Sequence, residues 1–137
     1  MSCIFCRIVG GEVRAEIVAR EADAVAFLDV QPLADGHVLI VPRSHVPTIE
    51  DLEPAAAEAL FRLVTRLARP VREALDADGT TIGVNNGEAT GQTIAHVHVH
   101  IVPRWPNDGA GSIHTIFPRN TRRTLAQVGE AIRAVYR

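Results

Sequence analysis

Hydrophobic and polar positions alternate or recur in a way that divides the chain into short extended runs and two longer helical stretches. Glu16 to Arg20, Ala24 to Asp29 and His37 to Val41 are rich in Val, Ile and Leu and are bounded by Gly11, Gln31-Pro32, Asp35-Gly36 and Pro42. Such runs between turn-forming residues predict three successive strands. From Pro54 to Asp76 the spacing changes: Leu60, Leu63, Val64, Leu67, Val71 and Leu75 recur every three or four residues, with Asp51 or Glu53 near the start. That is one buried face of a helix, which Pro70 is expected to kink because it lacks the N–H donor. Strands follow at Thr80 to Asn85 and His96 to Val102. A last amphipathic helix is predicted from about Arg123 to Tyr136, with Leu125, Val128, Ile132 and Val135 turned inward. The total of about five strands and two main helices predicts an α+β layer.

No repeat, low-complexity tract or linker divides the chain, and 137 residues are enough for one core, so a single domain spanning 1–137 is expected.

One of these predicted strands is unusual. In His96-Val97-His98-Val99-His100-Ile101-Val102, side chains alternate between faces, so three imidazoles share one side and Val97, Val99 and Ile101 share the other. An amphipathic strand whose polar residue is a single histidine needs no explanation. Here half of the six histidines fall within five positions, next to Gly91-Gln92-Thr93, a polar turn able to offer amides and a hydroxyl to an anion. A neutral imidazole nitrogen can attack phosphorus, and neighbouring imidazoles can donate to the phosphate oxygens.

Composition narrows the choice of chemistry. All fourteen basic residues are arginine, which removes every mechanism built on a lysine. The only serines, Ser2, Ser44 and Ser112, lie outside any G-x-S-x-G setting. A formal charge of -2 offers no field for a polyanion, so no nucleic-acid partner is expected. No apolar run is long enough for a membrane span, and the first residues lack a signal-peptide pattern; a cytoplasmic location is expected.

Cys3-x-x-Cys6 forms a second constellation with His45 and with His96 as a further candidate. Two thiolates and two imidazoles suit a closed, tetrahedral zinc site of structural type. A redox pair or a pair of small buried residues are the other readings of the cysteines alone, and no His-x3-5-His follows at zinc-finger distance.

Taken in order, Cys3-Ile4-Phe5-Cys6, Ala26-Phe27-Leu28-Asp29, Gly36 to His45, Asn85-Asn86-Gly87 and Gly91 to His100 resemble the histidine triad (HIT) family over about residues 3 to 104. The family includes Hint-like nucleoside phosphoramidases, Fhit-like dinucleoside polyphosphate hydrolases and, more distantly, galactose-1-phosphate uridylyltransferases. The resemblance implies an antiparallel sheet of about five strands, a homodimer, and nucleotidyl transfer from a purine nucleotide conjugate through the middle histidine. It makes His98 the nucleophile and His100 a donor to the α-phosphate, with His37 flanking them. It assigns Asn85, Gly91, Gln92 and Thr93 to the phosphate, Phe27 and Asp29 to base and ribose, Val13 to the base pocket, and Phe5 to the nucleotide site. Zinc-containing members imply Cys3, Cys6, His45 and His96 as ligands, so His96 carries either the metal or, without it, a supporting hydrogen bond to the nucleophile.

The segment Ile101-Val102-Pro103-Arg104-Trp105 is more similar to Fhit-like enzymes, Trp105-Pro106 with Asn107-Asp108-Gly109 to a Hint-like ending, and Ser112 to Arg119, with His114, to neither. Asn107 to Gly111 reads as a mobile loop near the active site or as a plain surface connection. Two other classes compete with the enzyme: a non-catalytic nucleotide-binding module, and a metal hydrolase holding zinc with His96, His98 and His100. The second conflicts with geometry, since residues i and i+4 of one strand are about 13 Å apart.

Overall fold

A computed structural model describes residues 3–137. A five-stranded antiparallel sheet is its centre, in the order β1-β2-β3-β5-β4, with β1 at Ile17–Arg20, β2 at Ala24–Leu28, β3 at Val38–Pro42, β4 at Gly79–Gly83 and β5 at Val99–Arg104. Consecutive strands β1 to β3 pair as neighbours. The long helix α2, Pro54–Ala74, then carries the chain across one face before β4 and β5 return, and β5 inserts beside β3.

Each face of the sheet has its own core. Ala24, Ala26, Val38, Ile40, Val99 and Ile101 meet Leu60, Leu63, Val64 and Val71 of α2. The helical spacing read from the sequence thus marks the buried side of α2, which starts with proline at its first turn and runs on through Pro70. On the opposite face Val25, Phe27, Leu39 and Val41 lie under Phe5 and Ile8 of a short helix α1, Ile4–Val9. A helix of six residues has too few turns to show a period, and the sequence did not reveal it.

Two further expectations need correction, and a third resolves in favour of one of its two readings. His96 to His98 lie in a bent segment ahead of the sheet, and β5 begins only at Val99. The last helix, α3, exists at Leu125–Val135, capped by Thr124 and Gln127 acting reciprocally. Its apolar residues do not turn inward: Leu125 is 92% exposed and Val135 73%. Amphipathicity built the helix, but among the described residues nothing covers this side of it. The 107–111 segment, finally, is closed by Asp108, which accepts from Arg104 Nε at 2.7 Å and from the amides of Trp105 and Ala110. It sits at the Arg104 end of β5, which pairs with Gly79, whereas His100 pairs with Gly83 at the other end. This loop is therefore a hydrogen-bonded turn away from the histidines.

Candidate active site and metal cluster

The site lies on the α1 face, where β3 and β5 run side by side and Leu39 pairs with His100. His37 immediately precedes β3, and its ring reaches His100 across the strands. Phe5 packs edge-on against Phe27, His96 and His98, at ring centroid distances of 5.4, 5.9 and 5.0 Å. The short helix therefore clamps the histidine segment onto the sheet.

Each ring has a different partner, and hydrogen bonding fixes where its proton sits. His96 Nε2 donates to the carbonyl of Pro42 at 2.9 Å, leaving the lone pair on Nδ1. His98 Nδ1 donates to the carbonyl of His96 at 2.8 Å, which leaves its Nε2 lone pair available. His37 Nδ1 accepts from the amide of Leu33 at 3.1 Å, so its hydrogen is on Nε2 and is donated to His100 Nδ1 at 2.9 Å. His100 must then carry its hydrogen on Nε2. That atom is buried and has no partner among the described residues, a donor waiting for an acceptor. Burial pushes the His100 ring down to about 4, with His98 and His37 adding to the shift. Burial also lowers His37 against an opposing pull from Asp29, whose carboxylate is 3.7 Å away. The His37 and His100 rings are neutral, as their hydrogen-bond pattern requires.

Three rings with three separate partners do not converge on one ion, which disposes of a three-histidine metal hydrolase.

A cavity of about 460 Å³ opens in front of these groups, lined by Phe5, Val13, Phe27, Asp29, Asn85, Gly91, Gln92, Thr93, His98 and His100. Every residue proposed from the sequence for nucleotide contact is thus on one wall system. Phe27 is both core and wall, being 2% exposed. Asp29 Oδ1 accepts from the amide of Gln31, so part of its carboxylate shapes the loop. The Gln92 side chain is committed to the backbone, donating to the carbonyls of Pro47 and Ile94 and accepting from the Gly87 amide. It braces the turn that presents Thr93. Sequence reasoning missed other lining residues, among them Ile8, Arg14, Leu39 and Ile94. Apolar wall residues carry no mark distinguishing them from core, and Arg14 lies in no motif.

Behind the histidine segment, Cys3, Cys6, His45 and His96 bring one ligand atom each within 4.8 Å of one another. Cys3 caps the start of α1 and Cys6 lies one turn on, so both thiols share a side. Sulfur to nitrogen distances are 3.6 Å for Cys3–His96, 3.5 Å for Cys6–His96 and 3.3 Å for Cys6–His45, and the two Nδ1 atoms are 3.3 Å apart. A tetrahedral zinc with ordinary bond lengths would set about 3.6 Å between sulfur and nitrogen and about 3.3 Å between nitrogens. The cluster fits a metal ion. Burial, and then the neighbouring Cys3, push the Cys6 thiol up, so a thiolate pair here calls for a cation.

An α+β sheet that gathers neutral histidines over a cavity and backs them with a Cys2His2 cluster defines a small histidine-based site with a separate metal position. The chain belongs to the HIT domain family, whose model matches residues 10–107. It is similar to a crystal structure of a HIT family member from Bacillus subtilis, at TM-score 0.89 and 28% identity over 100% of this chain and 99% of that one. A zinc-bound histidine triad family protein from Mycobacterium smegmatis matches at TM-score 0.76 and 34% identity, covering 96% and 98% respectively. Among curated sequences, adenylylsulfatase HINT3 of Arabidopsis thaliana is 37% identical over 106 residues, 77% of this chain but only 54% of the plant protein.

Proposed function

We propose that the protein cleaves a purine nucleotide conjugate, a dinucleoside polyphosphate or a nucleoside phosphoramidate, at its α-phosphate through a covalent nucleotidyl-His98 intermediate. The observation that carries this reading is the paired polarity of His98 and His100. One offers a nitrogen lone pair, the other a buried N–H with no partner among the described residues, and both line the same cavity. That is the complementarity an attacked phosphoryl group requires, a nucleophile beside a donor for the developing charge.

In the first step the Nε2 lone pair of His98 forms a bond to the α-phosphorus. The bond from phosphorus to the leaving group breaks, and the leaving group takes the electron pair and a proton from water. His100 Nε2 donates to a non-bridging oxygen throughout. His98 Nδ1–H remains on the His96 carbonyl and steadies the positive ring. Water or another acceptor then attacks phosphorus and loses its proton to the hydroxide left by the first step, the P–N bond returns its electrons to Nε2, and the nucleotide leaves. Phe27, Val13 and Phe5 hold the base, Asp29 the ribose, and Asn85, Gly91 and Thr93 the phosphate side. The plant relative's name, adenylylsulfatase, supports a nucleotide conjugate as the substrate class.

Cys3, Cys6, His45 and His96 would hold a structural zinc, a reading supported by the cluster distances and by the zinc-bound mycobacterial neighbour. Bound there, the ion supplies rigidity rather than Lewis acidity to the substrate. A homodimer is part of the same reading, with a second copy covering the apolar side of α3, and so is a cytoplasmic location. Among the described residues no helix is long and apolar enough to cross a membrane.

Rapid quenching with a substrate labelled at the α-phosphate tests the mechanism. Label should appear, acid-labile, on His98, and a chiral phosphorus should leave with its configuration retained. Inversion, the mark of a single displacement, would overturn the covalent course.

A further inference from the structure

We propose that the backbone amide of Leu33 sets the proton pattern of His37 and His100 and thereby bars divalent cations from the Asp29–His37–His100 cluster. Asp29, His37 and His100 bring three potential ligand atoms within 4.8 Å of one another, in the same way as the four residues of the cysteine cluster. Two imidazoles and a carboxylate are a good donor set for a divalent ion. An ion held there would take the Nδ1 lone pair of His100 and displace its hydrogen bond from His37.

What prevents this is a single N–H. A metal at that point would have to bind His37 through Nε2, the atom that faces Asp29 Oδ2 and His100 Nδ1. Nε2 can give a lone pair only if the ring hydrogen moves to Nδ1. There it would meet the Leu33 amide, whose own hydrogen already points at Nδ1 from 3.1 Å. Two donors cannot share that line, and a neutral imidazole has one hydrogen to place. The amide therefore holds the hydrogen on Nε2, where it fills the position a cation would need.

The loop that carries the amide is tied down at several points. The Asp29 amide donates to the His37 carbonyl, the His37 amide to the Ala34 carbonyl, and Asp29 Oδ1 accepts from Gln31. The Leu33 side chain is 79% exposed and touches none of this, so the backbone alone carries the role. The lowered basicity of both rings agrees, because a protonated His37 would present the same second donor to Leu33. Leu33 is a positioning residue, and its effect does not depend on which bond of the substrate is cleaved.

The test removes the N–H. Leu33→Pro does so by mutation, and replacing Leu33 by its α-hydroxy analogue through semisynthesis swaps the amide for an ester while keeping the side chain. Leu33→Ala retains the amide and serves as the control. Each is prepared with the cysteine cluster loaded with zinc and titrated with further Zn2+, and its ring tautomers are read by nitrogen-15 NMR. Wild type and Leu33→Ala should show hydrogen on Nε2 of both His37 and His100 and bind a second ion only weakly. The ester variant should bind a second equivalent roughly 10- to 100-fold more tightly than wild type, and Asp29→Asn in that background should abolish it. Unchanged tautomers and stoichiometry in the ester variant would overturn the inference, whatever the proline variant does, as would a wild-type His37 with hydrogen on Nδ1. Neither readout involves nucleotide turnover, so failure here is separate from failure of the proposed reaction.

Discussion

His98 hangs on His96: the Nδ1 of one ring donates to the carbonyl of the other residue at 2.8 Å, while the His96 side chain reaches back to the Cys3–Cys6–His45 cluster. The residue that aims the reactive nitrogen and the residue that belongs to the metal cluster are two positions apart on one bent segment. His98→Asn keeps a side chain that can bond the same carbonyl but lacks the nucleophilic nitrogen. Turnover should fall by about 10^4-fold or more while nucleotide affinity measured by calorimetry changes little. Loss of binding in parallel with loss of turnover would place His98 among the binding contacts alone.

Metal removal should propagate along that segment. Chelation, or Cys6→Ser, is expected to lower Tm by about 5–10 °C, since an ion bound only to the folded chain stabilises it. Elemental analysis should return one zinc per chain for wild type and none for the variant. Equal Tm values with and without chelator would remove the structural role.

Buried neutral histidines give stability a definite slope with pH. His100 is held at about 4 and His37 below its ordinary value, whereas both titrate near 6.5 when unfolded. The groups facing His100 are His98, His37 and Asp29. Between about 4 and 6.5 the unfolded chain binds more protons than the folded one, so stability rises with pH across that window and is full above it. Thermal melts from pH 4.5 to 7.5 should show the rise, and His100→Asn should flatten part of it. A wild-type Tm independent of pH in this range would contradict neutral burial of these rings.

Gly36 turns the chain into His37 with φ +86, and an added Cβ would lie 2.7 Å from Leu75 Cδ2 and 3.1 Å from Pro103 Cγ. Gly36→Ala should therefore cost about 2 kcal/mol from the left-handed backbone and the crowding together. Urea unfolding measures it. Because His37 is the next residue, turnover should fall more than stability alone explains.

Ile132 is 60% exposed on the apolar side of α3. If a second copy covers that side, Ile132→Glu should weaken self-association by roughly tenfold or more in sedimentation equilibrium. An unchanged association constant would move the interface elsewhere.

The sequence was most informative where many residues repeat one signal. Five of the six apolar positions at helical spacing, all but Leu75, lie on the inner face of α2, and two of the three alternating histidines line the cavity. It said less where the decisive group is local or supplied by something else. α1 has six residues and no period, yet it brings Phe5 against two of the histidines. α3 is amphipathic, but a pattern states that a side wants cover without saying who provides it. His96 lies outside the predicted strand, and its ring reaches two sulfurs and the Pro42 carbonyl rather than the cavity that His98 and His100 line. The Leu33 amide had no signature at all, since every residue except proline owns one.

The cavity wall holds one guanidinium, Arg14, and one carboxylate, Asp29, with uncharged rings, amides and hydrocarbon between them. An anion entering it is met by aimed hydrogens rather than by a surplus of positive charge. Dissolved ions mask long-range attraction but do little to oriented short-range donors. Substrate capture by this protein should consequently be almost indifferent to ionic strength, unlike that of enzymes that gather phosphates with lysine-rich surfaces.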